Sequence, residues 1–165
     1  MNNKEAKNRK KIISYDEDGG LLFMKNWSPR LRWLSLLPAM IITYIAVRVL
    51  FLDTIISIIE KLSYLLSLYI SAILSGLVYM TMTDAIGSVA PKKRVLTGAI
   101  FAIIFGVLTV IITLFAMRGI FSMDIESSLK NHYLIVLAIA SISNISGLFL
   151  GVSIIKSRQK KIPQV

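Results

Sequence analysis

Four long apolar runs dominate the sequence, and Arg48 is the only charged side chain inside them. Each run has about 20 residues or slightly more, which in an α-helix rising 1.5 Å per residue crosses about 30 Å of hydrocarbon. A helix of a soluble domain rarely stays apolar on all faces over this length. The sequence therefore predicts an all-α, polytopic integral membrane protein whose four transmembrane helices form a bundle. The predicted spans are approximately residues 33–52, 62–82, 95–117 and 133–155.

The composition agrees with this class, since 17% of residues are charged against about 25% in ordinary soluble domains. A cleaved signal peptide is a poor interpretation of the first run, because the run starts only at Trp33 and is too long for a signal core. We predict a basic cytoplasmic arm (1–32), a four-span membrane domain (33–155) and a basic cytoplasmic tail (156–165).

Lysine and arginine are distributed unevenly between the two ends of the spans. They are frequent before the first span, in the turn Lys92–Arg94 and after the fourth span, whereas the opposite side carries only Lys61, Arg118 and Lys130. The positive-inside rule then predicts that both termini are cytoplasmic. We expect the protein to lie in the plasma (inner) membrane.

The segments between the spans carry further expectations. Asp18-Gly19-Gly20 is a turn signal, which predicts a small hairpin or an interfacial turn within residues 12–24. Gly87 and Pro91 are expected to interrupt the helix in the loop 83–94. Residues 53–61 are expected to continue the helix ends or to lie flat on the membrane, and residues 118–132 to form a short interfacial helix.

The net charge of +10 raises the question of a nucleic-acid partner, but no aromatic residue alternates with the basic run at 7–11 to stack on bases. The basic residues are better explained as topology determinants that touch anionic headgroups of the bilayer. The predicted headgroup contacts are Lys7, Arg9, Lys10, Lys11, Lys92, Lys93 and Arg94.

Small residues recur along three of the four spans at the spacing of a helix-packing ridge. Serine appears at every fourth position from residue 63 to residue 75, and its hydroxyl can bond back to its own helix. Rows of small residues let membrane helices approach closely. The predicted helix-packing residues are Ser63, Ser67, Ser71, Ser75, Gly98, Ala102, Gly106, Ala140, Asn144, Gly147 and Gly151.

The alternative is that polar residues line a pathway through the membrane. Ser71 and Asn144 fall near the middle of their spans, where they can hydrogen-bond to each other, and Arg48 is the one embedded charge. An intramembrane charge is a candidate for function, although Arg48 can also pair with Asp53 or Glu60 at the outer surface. Asp84 is expected to face water or the basic triplet at 92–94.

No motif for catalysis, cofactor binding or metal binding is found in the sequence. Hydroxyl side chains in the spans lack a neighbouring base, the chain has no cysteine, and its single histidine is too few for a zinc site built from histidines. We therefore expect a protein that is not an enzyme and acts as a subunit of a homo- or hetero-oligomeric membrane assembly. The alternatives are a small channel or transporter, and an anchor whose basic arm recruits a cytoplasmic partner.

Overall fold

The computed structural model describes residues 20–160, of which the side chain of residue 160 is left undescribed. This part of the chain contains helices and no strand. Four helices are long and apolar enough to span a membrane: α1 (Pro29–Glu60), α2 (Tyr64–Val89), α3 (Arg94–Ser122) and α4 (Ser127–Lys160). A short 3₁₀ helix, Leu22–Met24, precedes them. The prediction of an all-helical chain with four candidate spans is confirmed.

Helix α1 is a single helix by length but is irregular in its hydrogen bonding. It consists of Pro29–Leu34, Leu36–Tyr44, a π-helical segment Ile45–Leu52, and Asp53–Glu60. The irregularity at Ser35 precedes Pro38, whose ring leaves the carbonyl one turn earlier without its usual donor. The π-helical segment contains Arg48, and π-helical turns are frequent at functional sites.

The helices are longer than the apolar runs because their polar ends remain helical. Residues 53–60 continue α1, as expected, and α2 continues through Gly87 to Val89. The expected interruption at Gly87 is therefore wrong, whereas Pro91 does lie in the turn before α3. The interfacial helix predicted at 118–132 is also wrong, because α3 extends to Ser122 and α4 starts at Ser127.

Helix α2 packs against each of the other three helices, and its contact with α4 is the most extensive in the described chain. Tyr69 bonds His132 at one end of this contact, and Asp84 pairs with Arg158 at the other. Residue numbers thus rise together along both helices, so α2 and α4 run in the same direction. This is the arrangement of the second and fourth helices when a chain crosses a membrane four times.

The two ends of the described chain meet at one end of α2. The Leu21 N–H donates to the Ser88 carbonyl, and the Arg158 guanidinium donates to the Ser88 hydroxyl. The hairpin predicted at 12–24 lies largely outside the described residues, and its described end is the 3₁₀ turn. A tight turn then joins α2 to α3, with Lys93 in the left-handed region at a φ of 48°.

Candidate functional site

The closest approach of two helices involves the backbone of α2 and Ser143 of α4. The Ser143 hydroxyl accepts a hydrogen bond from the Gly76 N–H at 3.1 Å and donates one to the Ile73 carbonyl at 2.5 Å. A side chain on α4 is thus bonded to main-chain groups of α2. Such a contact requires the two backbones to lie unusually close, which only a small residue at position 76 permits.

Glycines on α4 continue this contact. A β-carbon at Gly147 would collide with the backbone of Gly76, and one at Gly151 would lie 2.7 Å from the Met80 carbonyl oxygen and 2.6 Å from the Thr83 β-carbon. Both glycines therefore face α2. Among the predicted packing residues, these two lie against the backbone of another helix.

The packing extends to α3 through Ile155. A β-carbon at Gly98 of α3 would lie 2.7 Å from the Ile155 Cδ1 atom, and one at Gly87 of α2 would collide with the same side chain. Ala102 is buried and Ala140 is half-buried. The side chain of Ile155 thus occupies the space that the two glycines leave.

Gly106 differs from these glycines, because a β-carbon there would meet only the Leu148 Cδ1 atom at 3.8 Å, an ordinary van der Waals contact. It lies in an open groove of about 480 Å³ between α3 and α4. The groove is lined by apolar side chains, among them Ala99, Ile103, Val107 and Phe149. Gly106 is therefore not required for contacts within the described chain.

The serine row of α2 divides into different local roles. Ser63 is exposed and caps α2, accepting a hydrogen bond from the Leu66 N–H. Ser67 and Ser75 each donate to the carbonyl three residues earlier, so their hydroxyls are satisfied within α2. Only Ser71 is bonded to a different helix, through Arg48.

Arg48 joins α1 to α2 in the part of the molecule proposed as a polar path. Its Nε lies 3.2 Å from the Asp53 carboxylate, and its Nη1 lies 3.5 Å from the Ser71 hydroxyl. The side chains of Arg48 and Asp53 are 32% and 47% exposed. Glu60, the alternative partner, is exposed. The ion pair therefore lies partly exposed on the surface of the described chain and is not enclosed between helices.

Asn144 is separate from this pair. Its Oδ1 atom is buried and has no hydrogen-bond partner, so the predicted bond to Ser71 does not form through that atom. Ser143, the residue before it, instead makes the polar contact with α2. The structure thus brings Arg48 and Ser71 together. The side-chain oxygen of Asn144 bonds to neither of them.

Asp84 and Arg158 form a second polar contact between α2 and α4. The Arg158 Nη2 atom lies 3.0 Å from Asp84 Oδ2 and 2.9 Å from Oδ1, and only the Oδ2 contact has hydrogen-bond geometry. The side chains are 25% and 20% exposed. The expectation that Asp84 faces water or the basic triplet is wrong, because its charge is compensated by the fourth helix.

Two further arginines bind the last carbonyl groups of α2. Arg32 Nε lies 3.1 Å from the Val89 oxygen, and Arg94 Nε lies 2.9 Å from the Ala90 oxygen. Both side chains are buried. Cations at a helix C-terminus satisfy free carbonyls and interact favourably with the helix dipole. Lys92 and Lys93 are exposed beside them, whereas the headgroup contacts predicted at 7–11 lie outside the described residues.

Sequence reasoning missed Gly76, Ser143 and the Asp84–Arg158 pair. The signal for the first two is their position in mid-span, where each is a small residue on a helix that also carries other small residues. The pairing of 84 with 158 required knowledge that α2 and α4 are neighbours. Within residues 20–160, no three His, Cys, Asp or Glu side chains lie together as a metal site would need.

Comparison with known proteins gives no relative. No protein-family model matches the chain, and neither a curated protein nor a solved structure matches it.

Proposed function

We propose that this protein is a non-enzymatic subunit of a homo- or hetero-oligomeric assembly in the plasma membrane. Its four helices form a bundle, and the glycines of the α2–α4 contact hold that bundle together. The groove between α3 and α4, in which Gly106 lies, receives a transmembrane helix of another subunit. Both termini are cytoplasmic.

The observation that carries the proposal is the difference between Gly106 and the glycines that face α2, Gly147 and Gly151. Gly147 and Gly151 face the backbone of α2, so their small size serves the chain's own fold. Gly106 and the neighbouring Ala99 and Ala102 border an open apolar groove of about 480 Å³. Small residues on a lipid-facing surface let a second helix approach its backbone closely.

The charge distribution supports the orientation. Arg32, Arg94 and Arg158 lie at one end of α2, with the exposed Lys92 and Lys93 in the adjoining turn. The opposite ends of the helices carry Lys61, Arg118 and Lys130. The basic end is cytoplasmic by the positive-inside rule.

Cross-linking in native membranes tests the assembly. Because the chain has no cysteine, Val107→Cys, which lines the groove, can be compared with Ile112→Cys, which is exposed and not among the lining residues. A bismaleimide should join Val107→Cys chains into dimers, or to a partner protein carrying an accessible cysteine, and should join Ile112→Cys chains much less.

Gly106→Leu supplies the second arm of the test. The leucine should fill the groove and reduce the detergent-corrected molar mass to that of one chain, without loss of helix content. Wild-type protein that has the mass of one chain in nanodiscs, together with equal cross-linking at 107 and 112, would contradict the proposal.

A small channel or transporter is the second candidate. It is favoured by the contact between Arg48 of α1 and Ser71 of α2. Asn144, the third residue of that path, has no hydrogen bond to them through its buried Oδ1 atom. Proteoliposome flux that depends on Arg48 and Asn144 would support this candidate instead.

A further inference from the structure

A second concavity lies between α1 and α2, at the basic end of the helices. This crevice has a volume of about 500 Å³. One wall is formed by the first part of α1 and the other by the last three turns of α2. The segment 21–27 lies across its end. Residues on the walls include Pro38, Ala39, Ile42, Ala85 and Val89.

Three of the four hydroxyl groups in the crevice donate within their own helices, and the fourth, Ser88, accepts from Arg158. Ser35 donates to the Arg32 carbonyl, Thr43 to the Ala39 carbonyl and Thr81 to the Leu77 carbonyl. A bound water needs two to four polar partners, and these walls offer few. The crevice is therefore suited to hydrocarbon.

Asp84 also lines the crevice, and its carboxylate would normally oppose an anionic occupant. Its charge is compensated by Arg158, whose Nη2 atom lies 2.9 Å from the carboxylate. This wall is thus close to neutral, so nearby exposed cations can set the preference for the charge of the occupant.

Aromatic side chains line the end of the crevice, and two exposed basic residues lie close to them in sequence. Phe23 and Trp27 meet edge to face with ring centroids 6.1 Å apart, and both line the crevice. Lys25, between them in sequence, is exposed, as is Arg30 in the first turn of α1. Indole rings favour the headgroup level of a membrane. Basic sites between helices on the cytoplasmic side bind anionic headgroups.

We infer that the crevice between α1 and α2 binds an anionic phospholipid. One acyl chain lies against Ala39, Ile42 and Ala85, and the phosphate lies beside Lys25 and Arg30. This site goes beyond the proposed assembly and does not depend on it, because the groove beside Gly106 is formed by the other pair of helices.

Tryptophan quenching tests the site. Trp33→Phe leaves Trp27 as the only tryptophan, since the chain has two. The variant is placed in phosphatidylcholine nanodiscs that contain the same minor share of either brominated phosphatidylglycerol or brominated phosphatidylcholine. Quenching of Trp27 should be several-fold stronger with the brominated anionic lipid.

Charge and crevice variants separate this site from general attraction to the surface. In the Trp33→Phe background, each of Lys25→Gln and Arg30→Gln should weaken the preference about fivefold. The pair Lys61→Gln and Arg118→Gln, at the other end of the helices, should leave it unchanged. Ala85→Phe should abolish it by filling the crevice while all the basic residues remain.

Two results would overturn the inference: equal quenching by the two brominated lipids, or a preference that survives both Ala85→Phe and the loss of the two cations. Circular dichroism identifies an Ala85→Phe chain that has lost helix. In that case Ala39→Leu, on the opposite wall, takes its place.

Discussion

The hydroxyl of Ser143 on α4 accepts a hydrogen bond from the main-chain N–H of Gly76 on α2, at an N···O distance of 3.1 Å. The same hydroxyl donates to the Ile73 carbonyl. Because both bonds go to main-chain groups of α2, a slip of one helix by a single residue would break both of them. The register of α2 against α4 is thus set by polar contacts as well as by packing.

Gly147→Ala should lower the free energy of unfolding by about 1–3 kcal/mol, the usual cost of overpacking. The added methyl group would collide with the backbone of Gly76, which cannot rotate away as a side chain can. Titration of the protein with a denaturing detergent in mixed micelles, followed by circular dichroism, measures the change.

Gly119→Ala is the matched control for that substitution, because nothing lies within 4 Å of a β-carbon at this position of α3. It should be neutral or stabilising by up to about 1 kcal/mol through helix propensity. Equal losses at 119 and 147 would show that the α2–α4 contact is not the sensitive one.

Ser143→Ala should cost about 0.6–2 kcal/mol, the range for hydrogen bonds between membrane helices. Ser146→Ala is the comparison, since Ser146 is exposed on the same helix. The same detergent titration applies to both. If the two alanine variants unfold at the same detergent fraction, the Ser143 bonds contribute no stability.

Asp84 and Arg158 should show energetic coupling. We expect Asp84→Asn or Arg158→Gln alone to cost about 1–3 kcal/mol, as for hydrogen bonds to charged groups. The double variant should lose less than the sum of the two single losses, because either substitution alone already breaks the ion pair. A double-mutant cycle measures this, and strictly additive losses would contradict the pairing.

The orientation can be read from single cysteines placed in the cysteine-free chain. Asn131→Cys and Lys61→Cys should react with a membrane-impermeant maleimide applied to intact cells, because positions 61 and 131 lie at the end opposite the basic cluster and are exposed. Lys92→Cys and Lys156→Cys should react only after the membrane is opened. The reverse labelling pattern would show that the termini lie on the outer side, opposite to the predicted orientation.

Arg48→Gln should change stability by less than about 1 kcal/mol, since partly exposed ion pairs contribute little. In the assembly proposal it also leaves molar mass and ion permeability of proteoliposomes unchanged. A change in permeability at constant mass would favour the channel.

The four candidate spans were predictable because a helix that crosses hydrocarbon needs a long apolar run. Helix ends were less predictable, since residues such as Asp53 and Ser127 remain helical beyond the apolar runs. In α1, the apolar run from Trp33 to Leu52 is long enough to cross a bilayer. The helix extends beyond this run at both ends, and capping and contact with α2 determine how far. Ser28, for example, caps the first turn through the Leu31 N–H.

The partners of polar side chains were not predictable from one sequence. Ser143 and Asn144 are adjacent, and both are small or polar residues in mid-span. The two side chains point in directions about 100° apart around the helix axis. Which of them meets another helix depends on where the neighbouring helices lie, and the sequence does not give that. Asp84 similarly had several cations within reach in sequence, and the parallel direction of α2 and α4 selects Arg158.

The bond between Gly76 and Ser143 joins residues 67 positions apart in the chain. A ribosome completes α2 before it reaches α4, so in a membrane the second helix would be inserted without its main partner. During that interval, the surface around Gly76 is open to any other helix in the vicinity. The closest helix contact of the described chain is therefore one that only the finished chain can make.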